Sequence, residues 1–102
     1  MGPDDPLDSC TGFDWDDGNV DKNWQRHHVA FWEAEEVFFN EPLLRRRDVS
    51  HSATEPRLWV LGRTDSDRYL FISFTIRRSL IRVISARDMT RRELRIYGQA
   101  KA

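Results

Sequence analysis

The segment Arg68-Tyr69-Leu70-Phe71-Ile72-Ser73-Phe74-Thr75-Ile76-Arg77 constrains the fold more than any other part of the chain. Successive side chains of a strand point to opposite faces. Leu70, Ile72, Phe74 and Ile76 therefore line one face, and Tyr69, Phe71, Ser73, Thr75 and Arg77 line the other. The first face needs a helical cover, whereas the second suits a half-wet surface. Neighbouring runs extend this strand into a β-meander. Arg57 to Arg63 is one strand and Thr64-Asp65-Ser66-Asp67 a turn; Arg78-Ser79 links tightly into a last strand, Leu80 to Ser85.

Ahead of the meander, helical spacing from about Asp17 to His27 puts Val20, Asn23, Trp24 and His27 on one side. A second helix from about Phe31 to Phe39 carries the stripe Phe31, Ala34, Val37 and Phe38, with Glu33 and Glu36 outward. Glu41-Pro42 ends it. Phe13-Asp14-Trp15-Asp16 reads as a short extended segment, Leu43 to Arg47 as a charged edge strand, and residues 48–56 as a polar loop. Thr90-Arg91-Arg92-Glu93 is a capping box that opens a C-terminal helix, in which Leu94 and Tyr97 sit three apart. A chain of 102 residues has room for one core. The expected fold is α+β: a small antiparallel β-sheet with two N-terminal helices on one face, and a C-terminal helix. Residues 1–12 show no periodicity and are expected as a flexible tail, leaving 13–102 as a single domain.

The net charge of −1 conceals a strong asymmetry. Residues 1–41 hold eleven acids against two bases, and residues 42–102 hold fourteen bases against six acids. Either the second half meets an anionic partner, or an acidic helix lies against a basic sheet within the fold. Cys10 is the sole cysteine, which leaves no internal disulfide and no sign of an oxidising compartment. No apolar run approaches the ~18 residues of a membrane span, and Met1 to Pro6 lacks the features of a signal peptide. A cytoplasmic location is expected.

His27, His28 and His51 are too scattered for tetrahedral zinc, and Cys10 lies in the tail, so no metal or cofactor is expected. The arginines are the stronger signal. Arg57, Arg77, Arg82 and Arg87 lie in or at the ends of strands around one sheet. A guanidinium is always charged, and its fork of donors matches phosphate oxygens. The competing reading makes each a solvated strand end or a partner of Asp48, Glu55 or Glu93. With a histidine in an adjoining loop and a tyrosine on a helix, metal-free RNA cleavage is one of several chemistries the set suits.

An ordered series of residues is similar to the BrnT family of bacterial type II toxins, ribonucleases with a RelE-like fold. It runs over about residues 13–97. Phe13-Asp14-Trp15-Asp16 is followed by Asn23 and Arg26-His27, then Val29, Phe31, Glu33-Ala34, Val37-Phe38 and Glu41-Pro42-Leu43. Asp48, His51-Ser52, Glu55 and Arg57 match a loop pattern; Leu61-Gly62-Arg63-Thr64 and Phe74-Thr75-Ile76-Arg77 match strand ends. Ile81-Arg82-Val83-Ile84-Ser85-Ala86-Arg87, with Arg92-Glu93 and Tyr97 beyond, is the most specific part. The chain departs from the pattern at Asn19, where many relatives have lysine, at Ala30, which replaces a capping serine, and at His28, which replaces a glycine suited to a left-handed turn.

The resemblance implies an endoribonuclease that arrests growth by cutting RNA. It also implies neutralisation by a cognate BrnA-like antitoxin of the ribbon-helix-helix class, in a complex whose DNA contacts belong to the antitoxin. On this likeness Arg82, Arg77, His51 and Tyr97 are the catalytic candidates, and Arg57, Arg63 and Arg87 the substrate-binding ones. Tyr97 has an alternative as a packing residue, and His51 as the donor of a loop hydrogen bond to Asp48 or Glu55. Arg45-Arg46-Arg47 reads as a basic edge. A different class of function is a non-catalytic module whose basic sheet face docks an acidic protein segment or RNA.

Overall fold

The computed structural model describes residues 5–48 and 56–101. The chain forms strand β1 (Gly12–Phe13), helices α1 (Asp17–His27) and α2 (Phe31–Val37), strands β2 (Leu44–Asp48), β3 (Arg57–Arg63), β4 (Tyr69–Arg77) and β5 (Leu80–Asp88), and helix α3 (Arg91–Lys101). The five strands make one sheet in the order β1-β5-β4-β3-β2. All neighbours run antiparallel except β1, which pairs parallel with the start of β5 through Gly12↔Leu80 and Phe13↔Ile81. The α+β expectation is met, with one parallel edge that the alternation pattern did not announce.

The two-faced reading of the central strand holds. Leu70, Ile72 and Phe74 are fully buried and, with Val60, Val83 and Ala86, form the main core beneath Ala34 and Val37 of α2. Phe31, assigned to the buried stripe of the second helix by spacing, is instead 44% exposed, and Trp24 on α1 is 50% exposed. The helices are short and meet the sheet through their small residues, so the bulky rings flank the contact instead of filling it. On the opposite face α3 covers only one end, where Tyr97, Leu61 and Met89 make a smaller core. Met89 and Tyr97 thus bury a surface that the sequence left half wet.

Ahead of β1, Pro6–Ser9 form a 3-10 turn that Asp5 caps through the Leu7 amide. Leu7 and Cys10 pack against the main core, and Asp5 forms an ion pair with Arg45 of β2.

Among the described residues no strand lies beside the outer edge of β5 beyond Ile81, because β1 ends at Phe13. Side chains of α1 take the strand's place. Asn19 donates to the Val83 carbonyl, Lys22 donates to the Ile84 carbonyl at 2.5 Å, and the Asn23 carboxamide oxygen accepts from the Ala86 amide at 3.0 Å. Buried backbone groups need partners, and this explains why polar Asn23 sits almost fully buried.

Arg68 closes the corner between the two helices. It donates to the His27 and His28 carbonyls at 3.1 and 2.8 Å, to Glu33 at 3.2 Å and to Asp88 at 2.8 Å. The last carbonyls of a helix lack partners within it and attract cations. The corner itself turns at His28, which adopts a left-handed φ of 53°. At the start of α2, Ala30 has no side-chain oxygen to offer, and only the Glu33 half of a capping arrangement forms, through the Ala30 amide at 3.0 Å.

At Gly62 the backbone of β3 comes close to α2. A Cβ placed there would lie 2.6 Å from Val37 Cγ1 and 3.1 Å from Leu43 Cδ1. Gly62→Ala is therefore expected to lower the unfolding free energy by about 1–3 kcal/mol, through overpacking. Chemical denaturation would measure the loss, and an unchanged midpoint would show that α2 can shift freely.

Candidate active site

Arg82 and Arg87 are five residues apart, a spacing that puts them on opposite faces of a regular strand. They nevertheless share the open face. Ser73 pairs with Ser85 but Phe74 pairs with Val83, so Ile84 is an extra residue in β5, a bulge that shifts the phase of the strand. The open face then reads Arg87, Ser85 and Arg82 along β5, opposite Phe71, Ser73 and Thr75 of β4. Trp59 of β3 pairs with Ser73 and with Arg46 of β2. Arg57, which pairs with Asp48, follows the same register toward Thr75.

The sequence candidates separate into two groups along this face. At the end away from α3 lie Arg57, Arg77 and Arg82. Arg82 forms ion pairs with Asp16 at 2.5 Å and with Asp14 at 3.6 Å. Asp16 also caps α1, accepting from the Asn19 amide at 2.7 Å. The Arg82 hydrogen bond, followed by the Asn19 amide, holds its carboxyl below the usual aspartate range. Beside this pair a cleft of about 330 Å³ is lined by Asp16, Asn19, Lys22, Arg82 and Ile84. Arg77 is exposed and lines a second hollow with Asp14, Arg78 and Leu80. His51 lies outside the described residues, within the eight-residue link between Asp48 and Arg57.

The other group lies under α3. Arg87 donates to both oxygens of Glu93 at 2.8 and 3.0 Å, and its guanidinium carbon sits 4.2 Å from the Phe71 ring centre. Glu93 in turn completes the capping box of α3, accepting from the Thr90 amide at 2.9 Å while Thr90 accepts from the Glu93 amide. Arg63 donates to the Glu41 carbonyl at 2.9 Å and pairs with Asp67 at 3.0 Å. Tyr97 is 1% exposed and donates its hydroxyl proton to the Pro42 carbonyl at 2.7 Å. Burial pushes the phenol's pKa up, the wrong direction for a base at neutral pH. Arg82 and Arg77 line separate hollows, and Tyr97 lines neither of them. Half the length of β5 separates Arg82 from Arg87, and each already faces a carboxylate.

Two features of this face escape the sequence reading. Trp59 and Phe71 stack with centroids 5.7 Å apart, extending the Arg87–Phe71 contact into a ladder. Thr75 is buried and donates to the Pro56 carbonyl at 2.7 Å, fixing the end of the link that carries His51. Alternation does place Thr75 on the open face, but the partner is set by the fold. Among the described residues no three His, Cys, Asp or Glu side chains gather as a metal site, and no helix is long and apolar enough to cross a membrane.

A family model for the BrnT ribonuclease toxins of type II toxin-antitoxin systems matches residues 15–93. The chain belongs to the BrnT family. It is a ribonuclease toxin of a type II toxin-antitoxin system, an RNA-cleaving enzyme with a cognate antitoxin. No individually curated protein matches it. The matched span of this BrnT toxin runs from Trp15 to Glu93, so it takes in the whole basic end of the sheet and stops short of Tyr97.

The Arg68 and Arg87 hydrogen bonds hold Asp88 and Glu93, respectively, below their usual carboxylate ranges, as Arg82 does for Asp16. Their folded-state values are depressed, so their contribution to stability is present above the unfolded values near pH ~4 and is lost as pH falls through the folded ones. The melting temperature of the BrnT toxin should drop on acidification below about pH 4, and Asp88→Asn should flatten that slope. Tyr97→Phe should cost about 1 kcal/mol, the value of one lost hydrogen bond. Loss of RNA cleavage in that variant at unchanged melting temperature would instead return the phenol to the chemistry.

Proposed function

We propose that this toxin cuts RNA internally without a metal ion, at the end of the open sheet face where Arg57, Arg77 and Arg82 lie. The observation that carries this reading is the arrangement of that end. Thr75 pairs with Arg82, Arg57 stands one residue beyond the Leu58–Phe74 pair at the same end of the sheet, and the link bearing His51 begins and ends at the paired residues Asp48 and Arg57. Cleavage removes the proton from a ribose 2′-hydroxyl, and the oxygen attacks the adjacent phosphorus. The bond from phosphorus to the 5′-oxygen breaks and that oxygen takes up a proton, leaving a 2′,3′-cyclic phosphate and a 5′-hydroxyl. His51, whose ordinary pKa is near 6.5, is the candidate for proton transfer. Arg82 and Arg77 stabilise the charge that collects on the phosphorane, usually the largest catalytic contribution. Arg57 holds the neighbouring phosphate.

Arg82 has a further property suited to this role. Its partners Asp14 and Asp16 are partly exposed, at 38% and 51% of their side chains. A phosphate arriving from solvent can therefore replace one carboxylate without leaving a buried charge behind. Arg87 and Arg63 support the fold at the opposite end, and Tyr97 anchors α3. The antitoxin is proposed to be of the ribbon-helix-helix class, as the likeness to the family implies, and to supply the DNA contacts of any repressing complex. The toxin acts in the cytoplasm, where its RNA and antitoxin are made.

Purified toxin is expected to cut RNA in the presence of chelator. Arg82→Ala should reduce cleavage at least 100-fold while retaining the folded circular-dichroism spectrum, in line with removal of a transition-state cation. Activity abolished by chelator, or intact in the variant, would overturn the mechanism. Expression in bacteria should arrest growth, and co-expression of the gene immediately downstream should relieve the arrest.

A further inference from the structure

The open face carries an aromatic ladder next to the arginine row, at the margin of the small α3 core, and the proposed proton chemistry does not use it. Arg87 lies against Phe71, and Phe71 stacks on Trp59 at an interplanar angle of 29°. The second face of the Trp59 indole is therefore turned away from Phe71, toward the half of the sheet that holds Arg57 and Thr75. Trp59 is only partly buried, and its cross-strand neighbours Arg46 and Ser73 are not apolar cover. Trp59 packs against the margin of the small α3 core but, unlike the buried Tyr97 and Leu61, keeps part of its surface open to solvent.

We propose that Trp59 is a nucleobase-stacking platform that seats one base of single-stranded RNA beside the Arg57–Arg82 row. The proposal rests on the reading of that row as the phosphate site. Every nucleobase has a π-face, so an indole on a sheet surface can bind unpaired RNA with little sequence preference. Trp59 and Arg57 are two residues apart on the same face of β3, about 6.6 Å along the strand. A base and its own phosphate are separated by one sugar, a span of this order. The Phe71–Arg87–Glu93 chain behind the indole holds it in place before RNA arrives, which reduces the ordering cost on binding. Paired RNA keeps its bases stacked on one another and offers no free face. The platform therefore selects single strands.

The test is binding of a short single-stranded RNA made uncleavable by 2′-O-methyl groups, together with the same strand carrying one abasic residue at each position in turn. Binding should quench tryptophan fluorescence, and Trp59→Phe should remove that quench while keeping most of the affinity. Trp59→Leu should weaken binding about tenfold to a hundredfold. One abasic position should weaken the wild type by a similar factor and leave Trp59→Leu nearly unaffected, since the two losses share one contact. A quench that persists in Trp59→Phe, or abasic losses equal in both proteins, overturns the platform. Arg57→Ala and Arg82→Ala should weaken intact and abasic strands alike. If they do not, while Trp59→Phe still loses the quench, the arginine row fails and the platform stands.

Discussion

Between Val83 and Ser85 the last strand holds one residue more than its partner, and this extra unit sets the phase of the side chains that follow. Without it, Arg87 would turn toward the helices, where an unpaired guanidinium is costly, and Ala86 would leave the core. With it, Val83 and Ala86 both face inward, while Arg82, Ser85 and Arg87 all face outward. The bulge is stabilised from the side. Lys22 holds the Ile84 carbonyl, Asn19 the carbonyl before it and Asn23 the Ala86 amide. Helix α1 is thus the clamp that fixes the register of the basic face, as well as a cover for the core.

That clamp accounts for where the acidic half of the chain goes. Asp5 meets Arg45, Asp14 and Asp16 meet Arg82, and Glu33 meets Arg68. Each pair joins the acid-rich first part of the sequence to the base-rich second part. The internal alternative for the charge asymmetry is therefore correct for these residues, and it coexists with a basic surface. The pairs differ in kind. Arg68 is embedded among two helix carbonyls and two carboxylates, an arrangement that fixes geometry. Arg82 meets carboxylates open to water, and these can yield.

Strands β3 and β4 were legible in the sequence because turn residues bound both apolar runs and β4 alternates between two faces over most of its nine residues. The ends of α1 were legible as well, since Asp16 caps one end and His28 stands where a left-handed residue is needed. The extension of β5 past Ser85 to Asp88 was not, because a bulge reads locally as the end of an alternating pattern. The burial of Tyr97 was hidden too. Its partners Leu61, Tyr69 and Pro42 come from distant segments, and the rest of α3 is mostly polar and exposed. The Arg68 hub depends on backbone carbonyls of residues some forty positions away, which no side-chain pattern reveals. Local periodicity reported the faces; it could not report which long side chains cross between elements.

The two flanks of the sheet are guarded by different means. The β5 flank is filled by amide and ammonium groups from α1. Among the described residues the β2 flank has no strand beyond it, and Arg45, Arg46 and Arg47 follow one another along it. Unsatisfied strand edges invite other copies to anneal onto them, and a row of like charges resists this. A toxin freed from its antitoxin meets its own siblings as well as transcripts. Like charge along this margin opposes such annealing, and because Asp5 already neutralises Arg45, that role falls to the exposed Arg46 and Arg47.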